Sequence, residues 1–367
     1  MTRPLLTIDM RMVLDAGIGT YLRQLVPRIR KALPGLDLCL LGRPEALKQL
    51  EWTRQPGITI VECRAPIYSL REQVEIPLKI PAESDLFWSP HYNIPLLFSG
   101  RLVVTVHDTF HLAMPEFVKG LHRRAYAWVM FRAIRRKARA ILVVSQFGKN
   151  QLLAFCPQGS QPVTVTPNGV DESWARFSKG PRPHLKPYML FVGNLKPHKN
   201  LVRLLEAVEL IRTRVPHDLI IVGRSEGLMT ADHEVRNRAS RLGDRVQFVG
   251  EIDHDDLLLR RYYAWADLLV LPSLYESFGL PALEAMACGC PVVLSNVGGM
   301  PETYGEAAIY CDPLSRQDMA DQILRALTDR EVRIGLIERG RRCARRLNWE
   351  GTAEQVATTI NQLLLGS

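Results

Sequence analysis

Leu268-Leu-Val-Leu-Pro-Ser-Leu-Tyr-Glu-Ser-Phe-Gly-Leu-Pro-Ala-Leu-Glu284 is the stretch from which the architecture is read. Leu268–Leu271 is an apolar run of strand length, and Pro272 ends it. A loop carries Glu276, Ser277, Phe278 and Gly279, and a helix starts near Pro281, where proline's missing N–H costs nothing. Strand, loop and helix in that order deliver free backbone N–H groups and a positive helix end to the carboxyl edge of a sheet. Ligands bind there in open α/β folds, and phosphates favour such helix ends. Two readings of the carboxylates stay open on spacing alone. Glu284 either accepts hydrogen bonds from a ribose diol or simply complements the helix dipole, and Glu276 either faces a reacting group or is solvated.

On either side of this unit the pattern repeats. Strands are expected at Leu5–Asp9, Leu36–Leu41, Ile58–Cys63, Leu86–Trp88, Leu102–Val106 and Ala140–Val144, with helices at Tyr21–Leu33 and Leu121–Arg139. After a proline-rich, basic stretch at 177–187 the alternation restarts with strands at Tyr188–Val192, Leu219–Val222, Val246–Phe248 and Pro291–Leu294. Helices are expected near Leu201–Arg214, Ala231–Leu242, Asp255–Ala264 and Ala282–Ala287. Short apolar strands alternating with helices make parallel sheets covered on both faces. The expectation is two Rossmann-like domains, 1–176 and 188–349, joined by a linker at 177–187. The last helix, about 350–367, is expected to pack back on the first domain.

Other segments fall at predicted strand ends. Gly193-Asn-Leu-Lys-Pro-His-Lys-Asn200 offers a glycine for close approach and Lys199 as a cation for phosphate, or else it is a solvated surface loop. Asp9-Met-Arg11 is followed by Gly17-Ile18-Gly19 before a helix. The dinucleotide fingerprint needs a third glycine where Tyr21 and Leu22 stand, so a nicotinamide-cofactor reading is poor. Val104-Thr-Val-His107-Asp108 ends an apolar strand, and a lone histidine there is more often structural than functional. Val143-Val-Ser145, Pro167-Asn-Gly-Val-Asp171, Val249-Gly-Glu251-Ile252 and Gly298-Gly-Met-Pro-Glu302 complete the set.

Together these segments, in order from Asp9 to Glu302, resemble the retaining GT-B glycosyltransferases of family 4. That resemblance implies two facing Rossmann-like domains with the active site in the cleft between them. It implies a donor site of Gly17, Ile18, Gly19, Gly193, Asn194, Lys199, Glu251, Ile252, Glu276, Ser277, Phe278, Gly279, Leu280 and Glu284. Lys199 would bind the nucleotide diphosphate, Glu284 the ribose and Glu276 the sugar. His107 would contact sugar or acceptor, and Arg11, Asp108 and Ser145 are acceptor candidates. Many members carry an arginine just after the glycine where this chain has Asn194, and Lys196 is the substitute within reach. The combination of motifs looks most like bacterial mannosyltransferases of surface polysaccharide synthesis, implying GDP-mannose as donor, with a UDP-sugar as the alternative. The acceptor implied is a glycan or lipid-linked glycan. No cofactor and no metal are expected.

Composition narrows the remaining classes. The chain has 367 residues, 47% hydrophobic and 23% charged, which fits a soluble two-domain protein. Seven scattered cysteines form no disulfide framework, and Cys288 and Cys290 have no second pair for zinc. No signal peptide is evident in the first residues, and the cysteine pattern fits a reducing cytoplasm, where the protein is expected. Residues 1–170 hold 22 Lys/Arg against 12 Asp/Glu, and 171–367 hold 25 against 26, so the net +9 resides in the N-terminal half. On the helix 121–139, Arg124, Arg132, Arg135, Arg136 and Arg139 share a face with Trp128. That face is either solvated or docks on an anionic membrane surface. No nucleic-acid motif accompanies the charge. Asp253-His-Asp255-Asp256 contains an Asp-x-Asp triplet, which reads better as a helix cap than as a metal site. A nucleotide-sugar-binding or epimerising protein of the same fold is the non-transferase alternative.

Overall fold

The computed structural model describes residues 3–118, 120–223, 232–253 and 257–366. The chain divides into two compact units, Met1–Asn168 with Trp349–Ser367, and Gly169–Asn348. The stretch 177–187 is counted with the second unit.

The first unit is a seven-stranded sheet: β1 (Leu5–Asp9), β2 (Asp37–Gly42), β3 (Ile58–Glu62), β4 (Leu86–Ser89), β5 (Leu102–Val106), β6 (Ala140–Val143) and β7 (Val163–Val165). Its order is β3-β2-β1-β4-β5-β6-β7, and every pair is parallel. Strands β4, β5 and β6 are buried at every residue, as a sheet covered on both faces demands. One layer of its core joins Phe87, Val104 and Ile141 of the sheet to Ala127, Met130, Phe131 and Ile134 of the helix Leu121–Lys137. The terminal helix Trp349–Leu365 belongs to this unit. Trp349 packs edge-on against Tyr21 at 6.1 Å, and the Thr352 hydroxyl donates to the Pro167 carbonyl at 2.6 Å.

The second unit holds β8 (Tyr188–Val192), β9 (Asp218–Val222), β10 (Val246–Gly250), β11 (Leu268–Leu271), β12 (Val292–Ser295) and β13 (Ile309–Cys311). The order is β10-β9-β8-β11-β12-β13, again all parallel. Met189, Phe191, Leu219 and Leu268 pack beneath Leu204, Leu205 and Val208 of the helix Leu201–Ile211.

The two expected doubly wound units are therefore present. Strands β7 and β13 were not anticipated. Each is a three-residue edge strand, too short to show a period, and forms because its neighbour leaves an unpaired edge. In both sheets the order reverses beside the first strand, between β1 and β4 and between β8 and β11. Loops leaving two adjacent strands in opposite directions open a crevice at such a point.

Candidate active site

In the second unit the two strongest sequence segments leave the two strands of the switch point. The β8 loop turns at Asn194, whose carbonyl accepts the Lys196 N–H at 2.8 Å, and makes one 3-10 turn, Pro197–Lys199. Asn200 then takes a left-handed conformation (φ 62°) and starts the helix Leu201–Ile211. Its buried amide donates to the carbonyls of Pro272 (3.0 Å) and Pro313 (2.7 Å), and the Leu274 N–H donates to the His198 carbonyl at 2.7 Å. These bonds stitch the β8 loop to the β11 loop. As a result Lys199 Nζ lies 2.5 Å from Glu276 Oε2, with both side chains about one-fifth exposed. Burial, with the positive charges of Lys199 and Lys196, pushes the His198 imidazole down to about 3, so it is neutral near pH 7. Asn194 and Lys196 are exposed.

Glu276 is held through its backbone. Its carbonyl accepts the Gly299 N–H at 2.8 Å, and a Cβ on Gly298 (φ +74°) would lie 2.2 Å from that oxygen. This close approach explains the glycine at 298. Gly279 is left-handed (φ +82°) and precedes the helix Leu280–Ala287, whose first turn carries Pro281. Phe278 packs edge-on to Tyr304, whose hydroxyl donates to the Gly279 carbonyl at 2.8 Å. The Ser277 hydroxyl is buried and has no hydrogen-bond partner among the described residues. Glu284 is 5% exposed, and its Oε2 accepts the Tyr263 hydroxyl at 2.7 Å. Burial, then the Glu284 charge, pushes that phenol well above its usual range.

Beyond β8 the strand ends carry no side chains. Gly193, Gly223 and Gly250 follow or end β8, β9 and β10, all with positive φ (153°, 157° and 87°). The Gly193 N–H bonds the Val222 carbonyl, the Gly223 N–H bonds the Gly250 carbonyl, and a Cβ on Gly223 would lie 1.9 Å from the Gly193 oxygen. A flat ligand can approach such a bare ledge closely. Glu251 beside it is exposed and Ile252 half-buried.

In the first unit, Gly17 (φ +74°) precedes the helix Ile18–Ala32, which starts three residues earlier than the sequence suggested. A Cβ on Gly19 would lie 2.6 Å from the Val13 carbonyl, so this glycine serves close backbone packing. His107 is half-buried beneath Tyr21, with ring centroids 4.8 Å apart. Its Nε2 is 2.9 Å from the Pro90 carbonyl, which can only accept, so Nε2 carries the proton. Burial lowers its pKa, partly opposed by that carbonyl and by Asp108.

Three expectations for this unit need correction. Arg11, expected as an acceptor contact, has its side chain turned inward: it is 4% exposed, bridging Asp9 (Nη2–Oδ2, 2.7 Å) and Glu72 (Nη1–Oε2, 3.1 Å) and donating to the Ala65 carbonyl. A buried guanidinium needs such acceptors on every side. Ser145 is buried and caps the helix Gln146–Phe155, its Oγ accepting the Gly148 N–H at 3.0 Å. Arg135 leaves the basic face altogether. It is buried and donates to the carbonyls of Cys156, Gly159 and Gln161. Arg124, Arg136 and Arg139 remain exposed, Arg132 is half-buried over the Trp128 ring at 4.5 Å, and Leu121, Trp128 and Val129 are exposed beside them. Of the Asp-x-Asp triplet only Asp253, which is exposed, is described; Asp255 lies outside the described residues. No group of three or more His, Cys, Asp or Glu suited to a metal occurs among the described residues, and no described helix is long and apolar enough to cross a membrane.

Asn200, Tyr263 and Gly223 were not singled out from sequence, since only the folded sheet shows them touching the candidate residues. Comparison with known proteins identifies the family and the fold. The family described as glycosyl transferases group 1 matches residues 172–343, and Glycosyltransferase Family 4 matches residues 16–174. O-antigen chain mannosyltransferase B of Escherichia coli is 30% identical over 289 residues, covering 75% of this chain and 73% of that protein. A glycogen synthase of Mycobacterium tuberculosis is 29% identical over 326 residues, covering 87% and 76%. Among solved structures, HepE of Anabaena, in complex with UDP and glucose, superposes with a TM-score of 0.79 at 20% identity, over 98% of this chain and all of that one. With a family model on each unit and a 30% identical relative covered over 73% of its length, the chain belongs to the group 1, family 4 glycosyltransferases.

Proposed function

We propose that this protein is a retaining hexosyltransferase that moves mannose from GDP-mannose to a glycan or lipid-linked glycan. The observation that carries the reading is the Lys199–Glu276 pair at the β8/β11 switch point, a cation and a carboxylate held together by backbone. The diphosphate of the donor takes Lys199 as counter-ion, with the N–H groups at the start of the helix Leu280–Ala287. Glu276, released from Lys199, orients the hexose ring. The bond from the anomeric carbon to the diphosphate breaks, the acceptor oxygen attacks on the same face, and its proton passes to the departing diphosphate. Glu284 holds the ribose diol, with Tyr263 fixing one of its oxygens. The glycine ledge, with Glu251 and Ile252, accepts the base. His107 contacts the sugar or the acceptor. No metal is required, because Lys199 and the helix end neutralise the leaving group.

The mannose donor is favoured by the Escherichia coli relative, which the chain matches over most of its length. A UDP-glucose donor is the second reading, favoured by HepE, whose structure holds UDP and glucose. Incubation with a panel of nucleotide sugars, reading release of nucleotide diphosphate with and without EDTA, tests donor, transfer and metal together. Release from GDP-mannose that survives EDTA is expected. No release from any donor, despite binding, would favour a binding protein of this fold.

A further inference from the structure

Tyr68 is one of two non-glycine residues with positive φ among the described residues, at φ 64°; the other is the Asn200 described above. A bulky aromatic residue avoids this region, so something must hold it there. Both ends of its turn are anchored. Arg11 donates to the Ala65 carbonyl, and the Ser69 hydroxyl donates to Pro66 while capping the helix Leu70–Lys79 by accepting the Glu72 N–H. The turn lays the Tyr68 ring over a cluster of His91, Tyr92, His111 and Tyr126, at centroid distances of 5.7 to 6.1 Å. Tyr68 nevertheless stays 49% exposed, so it is no core residue.

The cluster sits at the carboxyl edge of the first sheet, beside its switch point. His91 and Tyr92 follow β4, Asp108 follows β5, and the Asp9–Arg11 pair ends β1. Its polar groups are paired with one another and with Glu72. The Tyr68 hydroxyl is 3.3 Å from His91 Nε2, the Tyr92 hydroxyl 3.2 Å from His111 Nδ1, and the Tyr126 hydroxyl donates to Glu72 at 2.9 Å. Burial, with His107, His111 and the Arg11 guanidinium as neighbours that oppose a further positive charge, pushes His91 down to about 3. Arg11 is already shared by Asp9 and Glu72, and the carboxylates of Asp108, Glu72 and Asp15 all act on Tyr68. The carboxylates of Asp9, Glu72, Asp108 and Asp15 thus stand around a single guanidinium here, although this half of the chain is basic.

We infer that Tyr68 and the His91–Tyr92–His111 group form a subsite for an uncharged pyranose ring of the acceptor, which lays its C–H face on Tyr68 and offers hydroxyls to the imidazoles and phenols. Aromatic walls with a few placed polar groups suit such a ligand, and the nearby carboxylates disfavour a phosphate. This deepens the proposed transferase reading and rests on it for the word acceptor.

Saturation-transfer NMR with methyl α-mannopyranoside and methyl β-glucopyranoside tests it, using the full chain, Tyr68→Gly and Tyr68→Phe. Glycine suits φ 64°, so Tyr68→Gly keeps the turn and removes only the ring. Transfer to glycoside C–H protons is expected in the wild type and Tyr68→Phe, and to fall about fivefold in Tyr68→Gly, the scale of one aromatic contact. Mannose 1-phosphate is expected to bind no better than the methyl glycosides. No transfer in the wild type, equal transfer in Tyr68→Gly, or preference for the phosphate would overturn the subsite. Calorimetry with GDP and UDP on the same proteins separates the two readings: glycoside binding without nucleotide binding keeps the subsite and removes the transferase.

Discussion

Lys199 Nζ and Glu276 Oε2 lie 2.5 Å apart although 77 residues separate them in the chain. The contact exists because β8 and β11 are neighbours in the sheet and Asn200 ties their loops together. In the proposed reaction Lys199 exchanges Glu276 for the donor's phosphates, so the pair would open when the donor arrives. Lys199→Ala is expected to lower turnover by roughly 10²–10³ at saturating donor, the scale of one lost electrostatic stabiliser. Steady-state kinetics with the active donor reads it, and near-normal kcat would assign the leaving group's charge to another residue.

Glu284→Ala is expected to weaken donor binding by about 1–3 kcal/mol, the scale of lost hydrogen bonds to a charged group. It also strands the buried Tyr263 hydroxyl, so Tm falls alongside. Tyr263→Phe keeps the carboxylate and is expected to cost less in donor affinity. Titration calorimetry and thermal melts on both variants decide, and unchanged affinity in Glu284→Ala would remove it from the site.

Gly298→Ala places a Cβ 2.2 Å from the Glu276 carbonyl at a positive φ. The clash is with backbone, which cannot rotate away, so a loss of about 1–3 kcal/mol is expected from overpacking. Because Glu276 moves with that carbonyl, activity should fall further than stability. Chemical denaturation together with turnover measures the two, and a variant as active as the wild type would show that the 276 loop tolerates displacement.

Both His91 and His198 are held neutral, pushed from their ordinary 6.5 down to about 3. Between those values the unfolded chain binds the protons and the folded chain does not. Their contribution to stability is therefore complete above pH 6.5 and is lost as pH falls toward 3. Tm is expected to drop from pH 6.5 to 4.5, and His91→Gln should make that drop shallower. An identical pH profile for variant and wild type would mean that His91 is protonated in the fold.

Membrane attachment, where it occurs, is expected to use Leu121, Trp128 and Val129 with Arg124, Arg132, Arg136 and Arg139, without Arg135. Each basic side chain near an anionic surface contributes on the order of 1 kcal/mol. Changing those four arginines to Gln should release the protein from anionic liposomes at low salt, while Arg135→Gln should destabilise the fold instead. Co-sedimentation and melting curves separate the effects, and a wild type that ignores anionic liposomes would leave the face simply solvated.

Most strands, the two doubly wound units and the candidate donor loops were legible in the chain, because they depend on local order. An apolar run, a glycine turn and a helix start within about twenty residues of each other, and parallel sheets require that alternation. Lys199, Glu276 and Glu284 stood out as candidates in such segments, and the family resemblance gave them their expected roles. The tertiary structure decided which of these residues meet. Helical periodicity put Arg135 on the same face as Arg132, but the carbonyls that bury it belong to the later 156–161 segment. Arg11 read as a cation near a ligand until Glu72 and Ala65 closed around it. Tyr68 carries no sequence signal, since a left-handed φ at a tyrosine is imposed by anchors elsewhere. Burial and partner choice are long-range properties, set by strand order, and a sequence pattern only a few residues wide does not contain them.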